Sequence, residues 1–216
     1  MIHNLVTQEK CKEFVSRLQT NDQWLDGKLT TGTLIAKVKT NSELYGNETA
    51  DEIYGYCMDQ LLNNEDLSQS ILLKRIVSTM INRYEVGEGY GWHFDTPLMP
   101  APNGDLVRPD YSFTIFFNDD YEGGELQIED RFVKGKTGEI YIYDSNLRHC
   151  VHPVTKGTRY ACFGWLESAI ADKQVREQVI ANIKALNSEK AKSPEDLSEA
   201  HIALEKSNQL LTRKFY

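Results

Sequence analysis

Between residues 78 and 167 the chain breaks into short runs rich in Tyr, Phe, Ile and Val, each bounded by turn-forming residues. The runs fall at 79–86, 90–95, 111–117, 124–129, 139–143, 149–154 and 159–166. Short strands at this spacing indicate an all-β sandwich or barrel. Pro97, Pro100 and Pro102 crowd the long interruption at 96–110, and Pro109 closes it. A loop of that length inside a compact β region is expected to act as a lid or binding loop.

The flanks have a different texture. Thr7 is placed to cap a helix that carries Phe14, Val15 and Leu18 on one side. Residues 24–33 read as turns with a short strand. Residues 51–61 and 68–80 are predicted helical, with the β-branched Ile76 and Val77 weakening the end of the second. After residue 168, Val175, Val179, Ile183 and Leu186 recur at helical spacing. Ser193-Pro194-Glu195-Asp196 marks the start of a further helix, followed by the stripe Leu197, Leu204 and Leu211. These helices are expected to pack on the domain or on a second copy of the chain. The organisation is therefore α+β: an N-terminal, mainly helical support at 1–77, a barrel core at 78–167 and a helical extension at 168–216.

Charge narrows the function. The 216 residues carry 32 acidic against 24 basic side chains, a net charge of −8. Tight non-specific binding to a nucleic-acid backbone is not expected of such a chain. No run approaches the ~18 apolar residues of a membrane span, and residues 1–14 lack the pattern of a secretion signal. Cys11, Cys57, Cys150 and Cys162 form no CxxC pair, so a reducing, cytoplasmic setting is expected. Cys150 and Cys162 are expected on adjacent strands.

The sharpest chemical signal is Trp92-His93-Phe94-Asp95. In a strand, residues two apart share a face, so His93 and Asp95 present a nitrogen and an oxygen side by side. That suits neighbouring positions of a six-coordinate metal. A third ligand must come from elsewhere, and both His149 and His152 are candidates. Two His and one carboxylate with open positions opposite form the facial triad of non-haem Fe(II) oxygenases. Arg159 shares a strand face with Ala161, Phe163 and Trp165. A guanidinium on an apolar inward face needs an anion, either a structural Asp or Glu or a carboxylate on a ligand. Tyr90 and Trp92 flank the triad in sequence, and Arg108 closes the proline-rich loop with Asp110. They are candidates for a substrate mouth, against core packing for the aromatics and a solvated pair with Asp110 for Arg108.

Five segments together carry a family resemblance. They are Tyr84-x5-Tyr90-x2-His93-x-Asp95; Tyr111-Ser-Phe-Thr-Ile-Phe-Phe-Asn; Tyr121-Glu-Gly-Gly-Glu-Leu; His149-x-Val-x-Pro-Val-Thr-x-Gly-x-Arg159; and, nearer the N-terminus, Trp24-x-Asp-Gly with Gly32-x4-Lys-Val-Lys-x-Asn. In these the chain resembles the PKHD-type, prolyl- and lysyl-hydroxylase-like dioxygenases that use Fe(II) and 2-oxoglutarate, over nearly its whole length. The resemblance implies a double-stranded β-helix, a jelly-roll or cupin-like barrel. It selects His149 over His152 as the third iron ligand. It implies that Arg159 pairs with the distal carboxylate of 2-oxoglutarate and that Tyr84 helps to hold that co-substrate. Some prolyl hydroxylases place a second co-substrate tyrosine where Phe116 stands here, and Thr114 is a candidate replacement. The cofactors implied are Fe(II), 2-oxoglutarate and O2, with ascorbate as a reductant. The reaction implied is hydroxylation of a C–H bond with release of succinate and CO2. The prime substrate is then a small molecule, a free amino acid, or a prolyl or lysyl residue of a peptide or protein. Two other readings stay open at this point: a cupin-like metal enzyme that does not use 2-oxoglutarate, and a binding module without catalysis.

Overall fold

The computed structural model describes residues 1–31, 35–100, 104–192 and 198–216. In chain order the elements begin with β1 (Ile2–Asn4), α1 (Gln8–Thr20), β2 (Leu25–Asp26), β3 (Ser42–Leu44), α2 (Glu48–Leu62) and α3 (Glu65–Ile71). Next come β4 (Leu73–Tyr84), β5 (Tyr90–His93), β6 (Met99–Pro100), β7 (Leu106–Val107), β8 (Tyr111–Phe116), β9 (Glu122–Gly123) and β10 (Leu126–Ile128). The remainder are β11 (Arg131–Val133), β12 (Glu139–Asp144), β13 (His149–Val151), β14 (Val154–Lys156), β15 (Arg159–Ser168), α4 (Lys173–Lys192) and α5 (Glu199–Phe215). Two compact units result, residues 1–62 with 76–167, and residues 63–75 with 168–216.

In the first unit two antiparallel sheets make the barrel. The major sheet runs β1-β12-β8-β15-β4-β3-β2, and the minor sheet runs β11-β10-β13-β5. The strand period of two divides the major sheet's side chains between two environments. Cross-strand partners Thr114 and Phe163, Thr114 and Tyr141, and Ser112 and Tyr143 share the face turned toward the minor sheet. There Tyr84, Leu126, Ile128, Val151 and Val154 form a buried cluster fed by both sheets. The opposite face carries Ile115 and Cys162 and is covered by helices. Phe14 of α1 meets Phe117 and, from α2, Tyr56, each edge-on at 5.5 Å. Burial of a ring like Phe14 is worth about 2–3 kcal/mol, so this contact does much to seat α1. Its start follows the sequence expectation, with the Thr7 hydroxyl accepting from Lys10 N–H at 3.2 Å. The architecture is the α+β, double-stranded β-helix expected of the sequence.

Several local expectations are corrected. The helix expected over 68–80 ends at Ile71, where Leu72 turns left-handed at φ 50°, and a strand begins at Leu73. Ile76, Val77, Thr79 and Ile81 are β-branched and fit a pleated surface better than a helix. The strand expected at 90–95 stops at His93, so Asp95 lies in irregular chain. β1 and β3, each three residues long, carry too little pattern to be read locally. The long proline-rich loop holds the ribbon β6–β7, and Pro102 lies outside the described residues. Cys150 sits on β13 of the minor sheet and Cys162 on β15 of the major sheet, so they are not on neighbouring strands. All four cysteines are free and buried.

In the second unit, α4 turns Val179 and Leu186 inward together with Arg176 and Asn182. Each of the two finds a hydrogen-bond acceptor there. Arg176 donates to Ile170 O at 2.9 Å and Asn182 to Ser207 Oγ at 3.3 Å. The expected helix start at Ser193 lies outside the described residues, and α5 is capped by Ser198, whose hydroxyl accepts from His201 N–H.

Candidate metal centre

The pairing of β5 with β13 sets His93 opposite His149. Directly opposed residues share a face, and the two imidazole centroids stand 4.2 Å apart. His93 Nδ1 lies 2.8 Å from Gly91 O and His149 Nδ1 3.0 Å from Leu147 O. A carbonyl can only accept, so each Nδ1 carries the proton and each Nε2 keeps its lone pair for a ligand. Burial, with His149 beside it, pushes the pKa of His93 down to about 4. Its imidazole is therefore neutral, the form that ligates metals, throughout the ordinary pH range.

Asp95 completes the group although it lies beyond the strand. The Ser112 hydroxyl donates to Asp95 Oδ2 at 2.6 Å, and Oδ1 stands 3.7 Å from His149 Nε2. One carboxylate oxygen is thus held and the other is turned inward. One ligand atom from each of His93, Asp95 and His149 lies within 4.8 Å of the others. The two-nitrogen, one-carboxylate donor set fits a divalent iron that keeps open positions. His152 is elsewhere: its Nε2 bonds Gln127 Oε1 at 2.7 Å and its ring stacks on Phe132.

A cavity of about 330 Å³ opens on the triad and also reaches Tyr84, Thr114 and Arg159. Arg159 is 1% exposed. Among the described residues no Asp or Glu forms an ion pair with it; its side chain meets Asn82 Oδ1, 3.3 Å from Nη1, the rings of Tyr84 and Phe116, and the phenol of Tyr121. Its Nε is buried with no hydrogen-bond partner. A structural acid is thus not what it meets. A buried guanidinium that faces a cavity without a carboxylate partner is an anion site in waiting. Gly124 lets the arginine through, because a Cβ there would fall 3.2 Å from Arg159 Cδ and 3.0 Å from the Tyr121 ring, and its φ is +65°. Of the three residues expected at a substrate mouth, Tyr90 lines the cavity, whereas Trp92 and Arg108 do not. Trp92 lies under the Arg148 guanidinium, and Arg108 pairs with Asp110 at 2.8 Å.

Sequence reading passed over Asn82, Ser112, Tyr143, Lys39 and Glu43, all of which line the cavity. Tyr143 meets His149 edge-on at 5.3 Å. Lys39 lay within a matched motif, but spacing alone assigned it no task.

The sequence pattern of the 2OG-Fe(II) oxygenase superfamily matches residues 79–167. A PKHD-type hydroxylase of Pseudoalteromonas atlantica is 37% identical over 187 residues, covering 83% of this chain and 82% of that protein. The fold is shared with a Pseudomonas putida prolyl-4-hydroxylase at a TM-score of 0.57 and 16% identity, over 78% of this chain and 91% of that one. It is also shared with a Trichoplax adhaerens prolyl hydroxylase, solved in complex with a hypoxia inducible factor peptide fragment, at a TM-score of 0.57 and 19% identity, over 77% and 82% of the two chains.

Proposed function

The chain belongs to the PKHD-type hydroxylases of the 2OG-Fe(II) oxygenase superfamily, and on that footing we propose that His93, Asp95 and His149 hold its iron and Arg159 its 2-oxoglutarate. It is a dioxygenase that uses Fe(II), 2-oxoglutarate and O2. The observation that carries the residue assignment is the meeting, in one cavity, of the donor triad with a buried arginine that has no carboxylate of its own. Bound iron supplies the centre at which O2 and 2-oxoglutarate are consumed, so that a C–H bond is hydroxylated and succinate and CO2 leave.

The chain's own residues do the placing. The backbone carbonyls of Gly91 and Leu147 fix both imidazole tautomers. Ser112 turns Asp95 so that one oxygen faces the metal. The Arg159 fork receives the distal carboxylate of 2-oxoglutarate. Tyr84, whose phenol is held protonated by burial, and Thr114 complete that end of the cavity. Phe113, Phe163, Leu126 and Val151 line the cavity walls and limit water. Removal of the Ser112 hydroxyl tests the placing directly. Ser112→Ala is expected to weaken metal binding about tenfold, read by Mn(II) titration of the metal-free protein, with folding retained.

The prime substrate is a small molecule or a peptide. Phe94 and Leu98 line the cavity and are exposed, and they support a route by which the reacting C–H group enters past the segment that follows β5. We place the chemistry in residues 78–167, with 1–77 contributing Lys39 and Glu43 to the wall. The four free thiols support a reducing, cytoplasmic setting. Among the described residues no helix is long and apolar enough to cross a membrane. The deciding experiment adds Fe(II) and 2-oxoglutarate without oxygen, then admits air. A visible charge-transfer band followed by succinate is expected. A folded protein giving neither would return the site to a metal enzyme of another kind. A substrate screen by succinate release, followed by mass spectrometry for one added oxygen atom, then identifies the prime substrate.

A further inference from the structure

The wall beside His93 contains a buried ion pair that the reaction itself does not call for. Lys39 and Glu43 have side chains 3% and 0% exposed, and the ammonium donates to Glu43 Oε1. The Thr30 hydroxyl donates to Glu43 Oε2 at 2.6 Å and accepts from Lys39 Nζ at 3.1 Å. Burial pushes the Lys39 pKa down, and the Glu43 carboxylate works against that shift. A buried pair of this kind adds little net stability compared with apolar side chains, but removing one partner alone is costly. What it does is hold an ammonium in one place.

That place is against Tyr90. Lys39 Nζ stands 5.0 Å from the centre of the Tyr90 ring, within cation–π range. The same ring stacks on His93, with centroids 3.8 Å apart and planes at 15°. The backbone reinforces the contact. Lys39 bridges antiparallel to Tyr90, and Thr40 N–H donates to Gly89 O at 3.1 Å while its hydroxyl accepts from Gly89 N–H at 2.9 Å. Gly91 admits the segment closely, since a Cβ there would lie 2.8 Å from Val38 Cβ. The hydrogen bond from Nδ1 to Gly91 O selects the His93 tautomer, and a flat ring packed on the imidazole limits its remaining freedom to swing.

We propose that Lys39, locked by Glu43 and Thr30, is a positioning residue that fixes the orientation of His93 through the ring of Tyr90. The inference rests on the assignment of His93 as an iron ligand, and its test keeps the two apart. The readout is the dissociation constant for Mn(II), a redox-inert probe ion, on the metal-free protein, with thermal melting as the check on folding. Tyr90→Phe keeps the ring and is expected to bind Mn(II) within about twofold of the parent. Tyr90→Leu removes the ring and is expected to bind about 10–100-fold more weakly, the range found for outer partners of metal ligands. The double variant Lys39→Met with Glu43→Gln removes both charges together, leaving no lone buried ion, and is expected to lose about tenfold. If it does not fold, Lys39→Met with Glu43→Met, which leaves no polar group of the pair buried while Thr30 keeps its bond to Gly27 O, carries the same expectation. Parent-like affinity in Tyr90→Leu, or in the folded Lys39 variant, overturns the proposal. Parent-like affinity in His93→Ala instead overturns the ligand assignment beneath it.

Discussion

Replacing His93 or Asp95 with alanine is expected to abolish succinate formation and to weaken metal binding by more than about a hundredfold, beyond the cost of losing an outer partner. Among the described residues, His93, Asp95 and His149 are the group placed to hold a metal. His152 is committed to Gln127 and stacks on Phe132, so it is not placed to substitute. Asp95→Asn separates charge from shape. The amide can still accept from Ser112, as the carboxylate does at 2.6 Å, but it brings no negative charge to the metal. Its expected result is a folded protein with most of the alanine defect. The measurements are Mn(II) titration, succinate release and thermal melting. Parent-like turnover in the alanine variants would remove the assignment.

Arg159→Met is expected to act in opposite directions on co-substrate binding and on stability. Deleting one partner of a buried charge pair costs about 2–5 kcal/mol. The dissociation constant of 2-oxoglutarate should therefore rise about thirty- to several-thousandfold. The charge-transfer band of the anaerobic Fe(II) complex reads this directly. Melting of the unliganded protein should hold or rise. In that state Arg159 is 1% exposed and meets an amide oxygen, the Tyr121 phenol and two further aromatic rings, with a buried Nε that has no hydrogen-bond partner and no carboxylate among the described residues. An unpaired buried cation is a burden on stability. Arg159→Lys should recover part of the affinity, since the charge returns without the planar fork. A large fall in melting temperature with unchanged 2-oxoglutarate affinity would mark Arg159 as structural instead.

The chemistry was more legible than the topology. His93, Asp95 and Arg159 stand in short motifs whose meaning depends on spacing within one segment. The strand period by itself puts Arg159 on a face with Phe163 and Trp165, whatever strand lies beside it. Helix α1 was readable because capping and an apolar stripe act within a few residues. The stretch after Ile71 is a strand and not the expected helix, because helical spacing and β-branching conflict there. The sheet decided the matter by taking β4 between β15 and β3. Ser112, Asn82 and Tyr143 gave no local sign at all. A serine or an asparagine in a strand looks the same whether it meets solvent or a ligand's second oxygen.

The sequence by itself determined the donor types, the alternation that turns them inward and the short strands that demand a closed barrel, because each is a property of neighbours along the chain. Only the tertiary structure decided that β13 lies against β5 with His149 opposite His93, that no acid among the described residues pairs with the inward Arg159, and that Lys39, held by Glu43, stands against Tyr90. The physical reason is separation along the chain. His93 and His149, or Asn82 and Arg159, meet only after strands distant in sequence have paired, and pairing is selected by the whole buried surface rather than by any one segment.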